Sequence, residues 1–521
     1  VRSRRCSFLD RSICLLCQAR RFGFVLHRRR NVFLVRPFCC PFPRGRRRSL
    51  ALPRVACVMK IPHLTHPLIV LSLCAVHFAL ASSLRRFSPV DNYLIDCGSV
   101  AGATVADDGR RFVGDSAGSA FPFLFARRSV SIRNEKPPPG SSPIYNTARV
   151  FRRFSKYAFG VRDEGTHVVR LHFRIFDSVD YNLSNARFHV SVNGFLLLNN
   201  FSGENSENPG IKEYMIWADG DKLEISFIPL GSSKMAFVNA IEVFSAPKDL
   251  IADTARFVDQ ESAIAVDGLR KQALETVFRV TMGGPKVTPF NDSLWRTWVP
   301  DDQFLESSND SKRVHFSGRI RYQAGGASRE ICPDNVYNTA RTVSSKNRSI
   351  PHHNVSWTFP VEGGYRYLVR THFCDIASIS LWLLHFNVYV NGHLAYEDLD
   401  LTSLAGASLA SPFYSDFLVD GDPSGVLTVS VGPSNVSSPN GAYAILNGVE
   451  IMKLNNSLGS LDGELSVESI MRNCNRGRMG GLLPIAAAAW LLLSGSSVLM
   501  QRRRAAGKGA IAWSPLPLDS P

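Results

Sequence analysis

The chain has 521 residues, and its formal net charge at pH 7 is +16. This length predicts roughly three domains. Residues 1–58 contain 15 arginines and one acid, Asp10, and therefore carry +14 of the total charge. Residues 59–521 are close to neutral, so they lack the excess of positive charge that is expected of a nucleic-acid-binding surface.

The basic segment 1–58 contains six of the eleven cysteines and has neither helical nor strand periodicity. A basic RNA-binding arm and a transit peptide are two alternatives for such a segment. We favour a third interpretation, in which 1–58 is a basic head that is not native to the protein. The reason is the sequence that begins at Met59.

Residues 59–81 have the pattern of a secretory signal peptide. Lys60 gives a basic start, an apolar run extends from Pro67 to Leu80, and small residues occupy positions 79 and 81. The apolar run is shorter than the ~20 residues that span a bilayer. The sequence therefore predicts an exported chain whose translation starts at Met59.

Six landmarks follow in the same order twice. The stretch "IYNTAR" at 144–149 returns as "VYNTAR" at 336–341. Five further pairs lie at offsets between 185 and 208 residues: DCGS and TMGG, FVGD and WVPD, VVRLHF and LVRTHF, VSVNG and VYVNG, AIEVF and GVEIM. A solenoid unit repeats every ~20–50 residues, so this longer period suits whole domains. The sequence predicts two tandem homologous domains, 90–246 and 276–455.

Strand patterns dominate both repeats. In "VVRLHFRIF", Val169, Leu171 and Phe173 alternate with charged and polar residues, and "RFHVSVNG" ends in the hairpin-type pair Asn193-Gly194. Period 2 with one polar face predicts antiparallel sheets that are packed on one side. Short strands between turn residues, in units of this size, predict an all-β fold of two jelly-roll-type β-sandwiches.

Residues 247–275 form the junction between the repeats. Their periodicity is weaker and mixed. We expect one helix there, over Leu269–Val277.

Residues 480–500 are 21 uncharged residues, and Arg502, Arg503 and Arg504 follow them. This length matches the ~30 Å hydrocarbon core of a bilayer and predicts one transmembrane helix. The signal peptide then makes 456–479 an extracellular juxtamembrane segment and 501–521 a cytosolic stub. The predicted protein is a single-pass type I protein of the plasma membrane, with its N-terminal part outside.

Glycosylation sequons and cysteines agree with export. The N-x-S/T sequons all lie in the repeats or their junction: Asn182, Asn200, Asn291, Asn309, Asn347, Asn354, Asn435 and Asn455. Four cysteines remain outside the head and the signal peptide: Cys97, Cys332, Cys374 and Cys474. In an oxidising compartment they permit two disulfides with three possible pairings, and buried free thiols are the alternative.

Candidates for chemistry are few. Glu397, Asp398 and Asp400 cluster in "YEDLDL", and a glycosidase needs two carboxylates across one sugar bond. Adjacent acids project to different sides of the chain, so we interpret them as solvated loop charges. Four histidines lack the spacing of zinc ligands and are interpreted as polar-face residues: His172, His352, His353 and His372. We therefore predict no catalytic residue, no cofactor and no metal site.

The duplicated motif "YNTAR" suits a folding element. Tyr145 and Tyr337 each have a ring to bury and a hydroxyl to satisfy, and Asn146 and Asn338 suit a turn that bonds its own backbone. A shared ligand site is the alternative. Diverged copies keep folding elements in both domains, whereas a ligand site is commonly lost from one, so we favour structure.

Motifs from Asn92 to Pro517 resemble the plant malectin-like receptor kinases. They include "NYLIDCGS", "IYNTARVF", "LETVFRVTMGGPKV", "LWRTWVPDDQFL", "YLVRTHFCDI", "FNVYVNG" and "AWSPLP". The resemblance implies an ectodomain of two malectin-like β-sandwiches, a membrane helix and a cytosolic Ser/Thr kinase. It also implies secreted cysteine-rich peptides as ligands, a small lipid-anchored co-receptor and contact with wall pectin, without fixing any ligand-binding residue.

The chain departs from this family in lacking the Gly-rich loop, the V-A-I-K lysine, H-R-D and D-F-G. We therefore do not expect this chain to be an enzyme. We expect it to be a truncated receptor-like Ser/Thr kinase that lacks its kinase domain. Cys332 replaces a residue that is more often small and apolar in the family, and its pairing with Cys374 or Cys474 stays open. The expected function is a cell-surface receptor for a peptide or wall carbohydrate; the alternative is a membrane-anchored polysaccharide-binding lectin without signalling.

Overall fold

The structure is a computed structural model. It describes residues 27–29, 32–34, 87–116, 123–126, 128–202, 210–231, 235–259, 263–306, 311–343, 353–437 and 443–506. The chain divides into the units Val1–Leu84 and Arg85–Pro521. In the first unit, β1 (His27–Arg29) pairs antiparallel with β2 (Val32–Leu34). The predicted signal peptide lies outside the described residues.

The unit Arg85–Pro521 is mostly β, which confirms the predicted all-β class. Its strands in chain order are β3 (Asn92–Asp96), β4 (Thr104–Val105), β5 (Arg111–Gly114), β6 (Leu124–Ala126), β7 (Ser129–Arg133), β8 (Thr147–Phe151), β9 (Ser155–Gly160), β10 (Gly165–Phe173), β11 (Arg187–Val192), β12 (Phe195–Ser202), β13 (Gly210–Ala218), β14 (Lys222–Pro229), β15 (Ala236–Val238), β16 (Ala240–Ser245), β17 (Ala255–Val258), β18 (Ala263–Val266), β19 (Leu274–Thr281), β20 (Val299–Pro300), β21 (Ser311–His315), β22 (Thr339–Val343), β23 (Val355–Pro360), β24 (Arg366–Cys374), β25 (His385–Val390), β26 (His393–Asp400), β27 (Pro412–Asp420), β28 (Val426–Pro433), β29 (Ala444–Leu446) and β30 (Gly448–Leu454). The α-helices are α1 (Asp334–Tyr337), α2 (Leu401–Leu404) and α3 (Val467–Ala506).

One large sheet runs through this unit. Its strand order is β18-β17-β27-β24-β30-β19-β13-β10-β16-β3-β5-β4, with β20 paired to β19. We call residues 87–246 the N-terminal half and residues 274–454 the C-terminal half. The halves join where β13 pairs with β19, through Tyr214 opposite Glu275 and Met215 opposite Leu274.

Each half adds a second sheet that faces the large one. In the N-terminal half this sheet has the order β12-β11-β14-β9-β6, and Phe188 and Val190 from it pack in one cluster with Leu171 of β10. In the C-terminal half the order is β23-β28-β25-β26, and Trp357 of β23 shares a cluster with Val369 of β24. Full burial of such side chains stabilises the fold by about 1.5–3 kcal/mol each.

The opposite face of the large sheet is buried as well, so the prediction of one-sided packing is wrong. Val168, Met215 and Met452 lie on that face in a third apolar cluster. Arg170 and His172, which alternate with the core residues of β10, are only 4% and 3% exposed. The period of a strand shows which residues share a face, but it does not show that another segment covers the polar one.

The expected helix over Leu269–Val277 is also wrong. A single 3-10 turn, Leu269–Lys271, precedes β19, which lies between β13 and β30. Its stretch "LETVFRVT" is rich in β-branched and aromatic residues, and these favour strands. Earlier in the junction, β17 and β18 form a hairpin, and β17 extends the sheet of the C-terminal half by pairing parallel with β27.

After β30 the chain returns to the N-terminal half as a segment that we call the strap, residues 456–463. The amide of Leu196 donates to the carbonyl of Gly459 at 2.9 Å, and Leu461 donates back to Leu196 at 2.8 Å. The amide of Asn199 donates to Asp462 Oδ2 at 2.7 Å. Ile470 in the first turns of α3 then packs in a small cluster with Leu196. The strap thus fastens the start of α3 to β12.

Helix α3 includes the predicted transmembrane segment 480–500. Within the part of the chain that the structure describes, no helix is both long enough and apolar enough to cross a membrane. The span at 480–500 is therefore not confirmed and stays a prediction.

Candidate functional site

The first "YNTAR" motif meets two other repeated motifs in a buried polar cluster. The 3-10 turn Pro143–Tyr145 places the hydroxyl of Tyr145 at 2.9 Å from Nδ1 of His172 on β10. His172 Nε2 lies 2.9 Å from Oε1 of Glu242 on β16. Arg170 and Arg110 both donate to the same carboxylate, at 3.0 Å and 2.5 Å. Tyr145, His172 and Glu242 form what we call the first triad.

Electrostatics keep Glu242 ionised. Burial by itself raises its pKa, but the charges of Arg170 and Arg110 and the hydrogen bond from His172 outweigh that effect and hold the pKa well below the usual range. Burial, with the negative charge of Glu242, raises the pKa of Tyr145 above its usual value. The tyrosine is therefore a neutral hydroxyl at any physiological pH.

The C-terminal half builds the second triad from the second copies of the motifs. The hydroxyl of Tyr337 lies 3.3 Å from His372 Nδ1, and His372 Nε2 lies 3.2 Å from Glu450 Oε2. Glu450 also accepts from Nε of Arg279 at 2.6 Å. Burial lowers the pKa of His372, although Glu450 opposes that shift.

The arginine of each motif holds a buried aspartate. In the first copy, Asp115 accepts from Arg149 Nε at 3.0 Å, from the Tyr157 hydroxyl at 2.7 Å and from the Gly98 amide at 2.8 Å. Gly98 has φ +81°, and a Cβ there would lie 2.3 Å from the carbonyl oxygen of Ala148. Only glycine suits that position.

The second copy repeats the arrangement. Asp301 accepts from Arg341 Nε at 2.7 Å, from Trp357 Nε1 at 2.9 Å and from the Gly283 amide at 3.0 Å. A Cβ on Gly283 would lie 2.4 Å from the carbonyl oxygen of Ala340. The repeated letters thus build the same hydrogen-bonded corner twice, as the structural interpretation of "YNTAR" expects. Only the asparagines differ from expectation, because Oδ1 of Asn146 and Oδ1 of Asn338 are buried without a hydrogen-bond partner among the described residues.

The first triad lies in the wall of a cleft of about 680 Å³ between the two halves. Other residues of the N-terminal half that line it include Asp107, Arg110 and Ile211. The C-terminal half contributes Phe290 and Trp295. Further polar lining comes from Ser142, Thr288, Thr297 and Gln303. This cleft has the size and mixed apolar and polar lining that small-molecule sites require.

The second triad does not border this cleft. Tyr337 and His372 are fully buried, and Glu450 is 1% exposed. The ring of Trp298 lies 5.5 Å from that of His372, and the ring of Tyr322 lies 6.3 Å from that of Tyr337. Tyr145, His172 and Glu242 are also buried, at 6%, 3% and 0% exposed, so the two triads differ in that the first borders the 680 Å³ cleft and the second does not.

A chain of buried charges joins the halves, and sequence analysis missed it. Glu213 accepts from Arg170 Nε at 2.6 Å and from Arg279 Nη2 at 2.7 Å. Arg279 in turn donates to Glu450, so both triads belong to one ionic network. The available signal was a charged residue inside an apolar repeated motif, at Arg170 in "VVRLHF" and Arg370 in "LVRTHF".

Most described sequons lie on the surface. Five asparagines have exposed side chains: Asn182, Asn200, Asn291, Asn354 and Asn435. Asn455 is half-buried, since its Oδ1 accepts from the Ala273 amide at 2.7 Å and its Nδ2 donates to the Asn456 carbonyl at 2.9 Å. Asn309 and Asn347 lie outside the described residues.

The cysteines differ from the predicted disulfide scheme. Cys97, Cys332 and Cys374 are buried free thiols, so none of these three pairs with another. Each lies in an apolar cluster, which is the alternative that the sequence left open. The side chain of Cys474 lies outside the described residues.

The remaining candidates have no catalytic arrangement. His172 and His372 are buried partners of carboxylates, not exposed polar-face residues as expected, whereas His353 is exposed. His352 lies outside the described residues. Glu397 and Asp398 are exposed on β26, and Asp400 caps α2 by accepting from Thr402. Among the described residues no group of three or more His, Cys, Asp or Glu side chains is placed to hold a metal ion.

The malectin-like domain family matches residues 95–454. A probable receptor-like protein kinase of Arabidopsis thaliana is 46% identical over 375 residues, which cover 71% of this chain and 45% of that protein. Receptor-like protein kinase THESEUS 1 of the same plant is 39% identical over 410 residues, 78% of this chain and 47% of the relative. The chain thus spans about half the length of the curated relatives it matches.

Solved ectodomains have the same fold. The ANXUR1 extracellular domain from Arabidopsis thaliana is 27% identical with a TM-score of 0.64, and the match covers 72% of this chain and 99% of that one. FER, in a crystal structure of the plant peptide RALF23 in complex with FER and LLG2, is 30% identical with a TM-score of 0.63 over 73% of this chain and 99% of that one. This chain belongs to the malectin-like family and is similar to the ectodomains of plant receptor-like kinases.

Proposed function

We propose that this chain is the ligand-sensing part of a cell-surface receptor-like Ser/Thr kinase, and that its ligand is a secreted peptide. The observation that carries the proposal is the match to nearly the whole ectodomain of FER, which was crystallised with the peptide RALF23 and with LLG2. By the same similarity, a small lipid-anchored co-receptor is the proposed third component. The kinase would lie in the part of the relatives that this chain does not match.

We place the chain in the plasma membrane as a single-pass type I glycoprotein. The support is the 21-residue uncharged stretch at 480–500 with three arginines after it. Trp490, Leu491 and Leu499 of α3 expose most of their apolar surface, which suits contact with lipid. The exposed sequons agree with passage through the secretory pathway.

Reconstitution tests the receptor proposal. The full chain, made in a secreting host, is mixed with RALF23 and LLG2, separately and together, and complex formation is followed by size-exclusion chromatography with light scattering. We expect a complex that contains all three components. Absence of any peptide-dependent complex over a wide concentration range contradicts the proposal.

The second candidate is a membrane-anchored polysaccharide-binding lectin with no signalling role. The observation that favours it is the cleft beside the first triad, which presents aromatic side chains next to polar ones. Binding of wall polysaccharide without any peptide-dependent complex would support this candidate over the receptor.

A further inference from the structure

We propose that the cleft between the two halves binds a neutral oligosaccharide, with Phe290 and Trp295 as stacking surfaces and Asp107 as a hydrogen-bond acceptor for sugar hydroxyls. This inference deepens the polysaccharide-binding candidate by assigning it a site and a class of sugar. It rests on that candidate and not on the peptide-receptor proposal, which concerns a different ligand.

Two aromatic side chains in the cleft lack the enclosure of core residues. Phe290, on the 3-10 turn Pro289–Asn291, exposes 63% of its surface. Trp295 is half-buried and has φ +55°, a backbone conformation that persists only where the surroundings impose it. The Phe244 ring lies 5.6 Å from the indole, edge to face, and the Arg110 guanidinium lies 5.1 Å from the indole centroid. An aromatic surface fixed in this way suits the flat C–H face of a pyranose ring.

The charges of the cleft favour a neutral ligand. Four arginines line it, Arg110, Arg170, Arg279 and Arg296, and so do four carboxylates, Asp107, Asp108, Glu213 and Glu242. Every one of the arginines already has a carboxylate partner at 2.5–2.9 Å. To pair with these arginines, a polyanion such as polygalacturonate would have to displace their carboxylate partners. Breaking a buried ion pair costs free energy, because it leaves a buried charge without a partner.

The polar groups left for a ligand are those that sugars use. Asp107 is exposed, and the described residues show no ion pair to its carboxylate. Gln303 and Thr297 are exposed in the same cleft, and they offer an amide and a hydroxyl. Carboxylate, amide and hydroxyl groups beside an aromatic surface match the alternating hydroxyl and C–H character of a hexose.

The two triads differ in their surroundings, and the first lies in the wall of the cleft. Both triads have the same hydrogen bonds between tyrosine, histidine and glutamate. Trp298 and Tyr322 cover the second triad. At the first, Phe112 occupies the position equivalent to Trp298, and its smaller ring lies 6.4 Å from that of His172. The copies therefore differ in the aromatic side chain beside the histidine, although Tyr145 and His172 are themselves only 6% and 3% exposed.

Calorimetric titration of the full chain tests the inference. The probes are cellohexaose, mannohexaose and laminarihexaose as neutral sugars, and hexagalacturonate as the anionic one. We expect at least one neutral hexaose to bind, and Phe290→Ala and Asp107→Asn each to weaken that binding about tenfold, a change typical of one lost stacking or hydrogen-bonding contact. Trp382→Ala is the matched control, because Trp382 is 56% exposed and also has a positive φ, of 66°, but lies outside the cleft. The control is expected to bind as the unchanged chain does.

Three results would overturn the inference. The first is that no neutral hexaose binds at concentrations up to about 10 mM, where a dissociation constant would be too weak for a functional site. The second is that hexagalacturonate alone binds. The third is that Phe290→Ala binds the hexaose as tightly as the unchanged chain does. The same variants are examined for complex formation with RALF23 and LLG2, so that failure in the sugar titration is distinguished from failure of the receptor proposal.

Discussion

The hydroxyl of Tyr145 lies 2.9 Å from Nδ1 of His172, and both residues come from motifs that the sequence contains twice. The second copies, Tyr337 and His372, make the equivalent contact at 3.3 Å. A buried hydroxyl without a partner is costly. The paired histidine therefore explains why tyrosine, and not phenylalanine, stands in both copies.

Removal of either hydroxyl should destabilise the fold. We expect Tyr145→Phe and Tyr337→Phe each to lower the free energy of unfolding by about 0.5–1.5 kcal/mol, the net worth of one hydrogen bond. Urea unfolding followed by tryptophan fluorescence measures the change. Tyr181→Phe is the control, because the described residues show no hydrogen bond to the Tyr181 hydroxyl. An unchanged midpoint for Tyr337→Phe contradicts the prediction.

The buried aspartates should matter more than exposed ones. Asp301→Ala removes the buried carboxylate from Arg341, leaves that guanidinium with the exposed Asp302 at 3.0 Å, and deprives Trp357 Nε1 of its acceptor, so we expect a loss of about 3–5 kcal/mol. Asp420→Ala breaks an exposed pair with Arg366, whose side chains are 65% and 55% exposed, and should cost less than about 1 kcal/mol. Equal effects of the two substitutions in urea unfolding would refute this ranking.

Stability should fall in acid because of Glu213. Burial raises the pKa of this residue, but Arg279 and Arg170 outweigh that effect and lower the pKa from 4.5 to about 2. The stabilisation is therefore complete above pH 4.5, the value in the unfolded chain, and is lost as the pH falls toward 2. Unfolding measured at pH 6, 4.5 and 3 should show this decline. Glu213→Gln should reduce the slope below pH 4.5, and an identical slope would count against the assignment.

The three described cysteines should resist alkylation. Burial raises the pKa values of the Cys97 and Cys332 thiols well above their usual range, so few thiolates form and reagents lack access. Native protein treated with iodoacetamide should show no label on Cys97, Cys332 or Cys374 in a peptide mass spectrum. The same treatment in denaturant without reductant should label all three. A disulfide-linked peptide among them contradicts the structure.

Asn455 should behave differently from the exposed sequons. Its amide is already bonded to Ala273 and Asn456, so we expect Asn455→Gln to lower the free energy of unfolding by about 1–2 kcal/mol. Asn435→Gln, at an exposed position, should leave stability within about 0.5 kcal/mol. Glycopeptide mass spectrometry should find glycans on the exposed asparagines. Full occupancy of Asn455 in stable protein would contradict this.

Sequence alone was sufficient for the repeated strands and for the role of the duplicated tyrosines. Alternation in "VVRLHF" identified Val169 and Leu171 as core residues, because apolar residues at every second position of a strand lie on the same, buried face. It could not show that Arg170 and His172 are buried too. The alternation of residue types along a strand is the same whether a charged side chain faces water or a buried partner. The partner of Arg170 is Glu213, which lies 2.6 Å away in space but 43 positions later in the sequence. The cleft is lined by residues from both halves that lie far apart in the sequence, so no short sequence motif indicates it.

The strap gives the C-terminal tail two attachments. It continues directly from β30 of the C-terminal half, and it is hydrogen-bonded to β12 of the N-terminal half. The halves themselves are joined by the pairing of β13 with β19 and by the buried contacts that run from Arg170 through Glu213 to Arg279. If one half tilts relative to the other, the start of α3 cannot keep both attachments unchanged. Either α3 must move relative to one half, or the hydrogen bonds between the strap and β12 must break. A rotation between the halves thereby becomes a displacement of the helix.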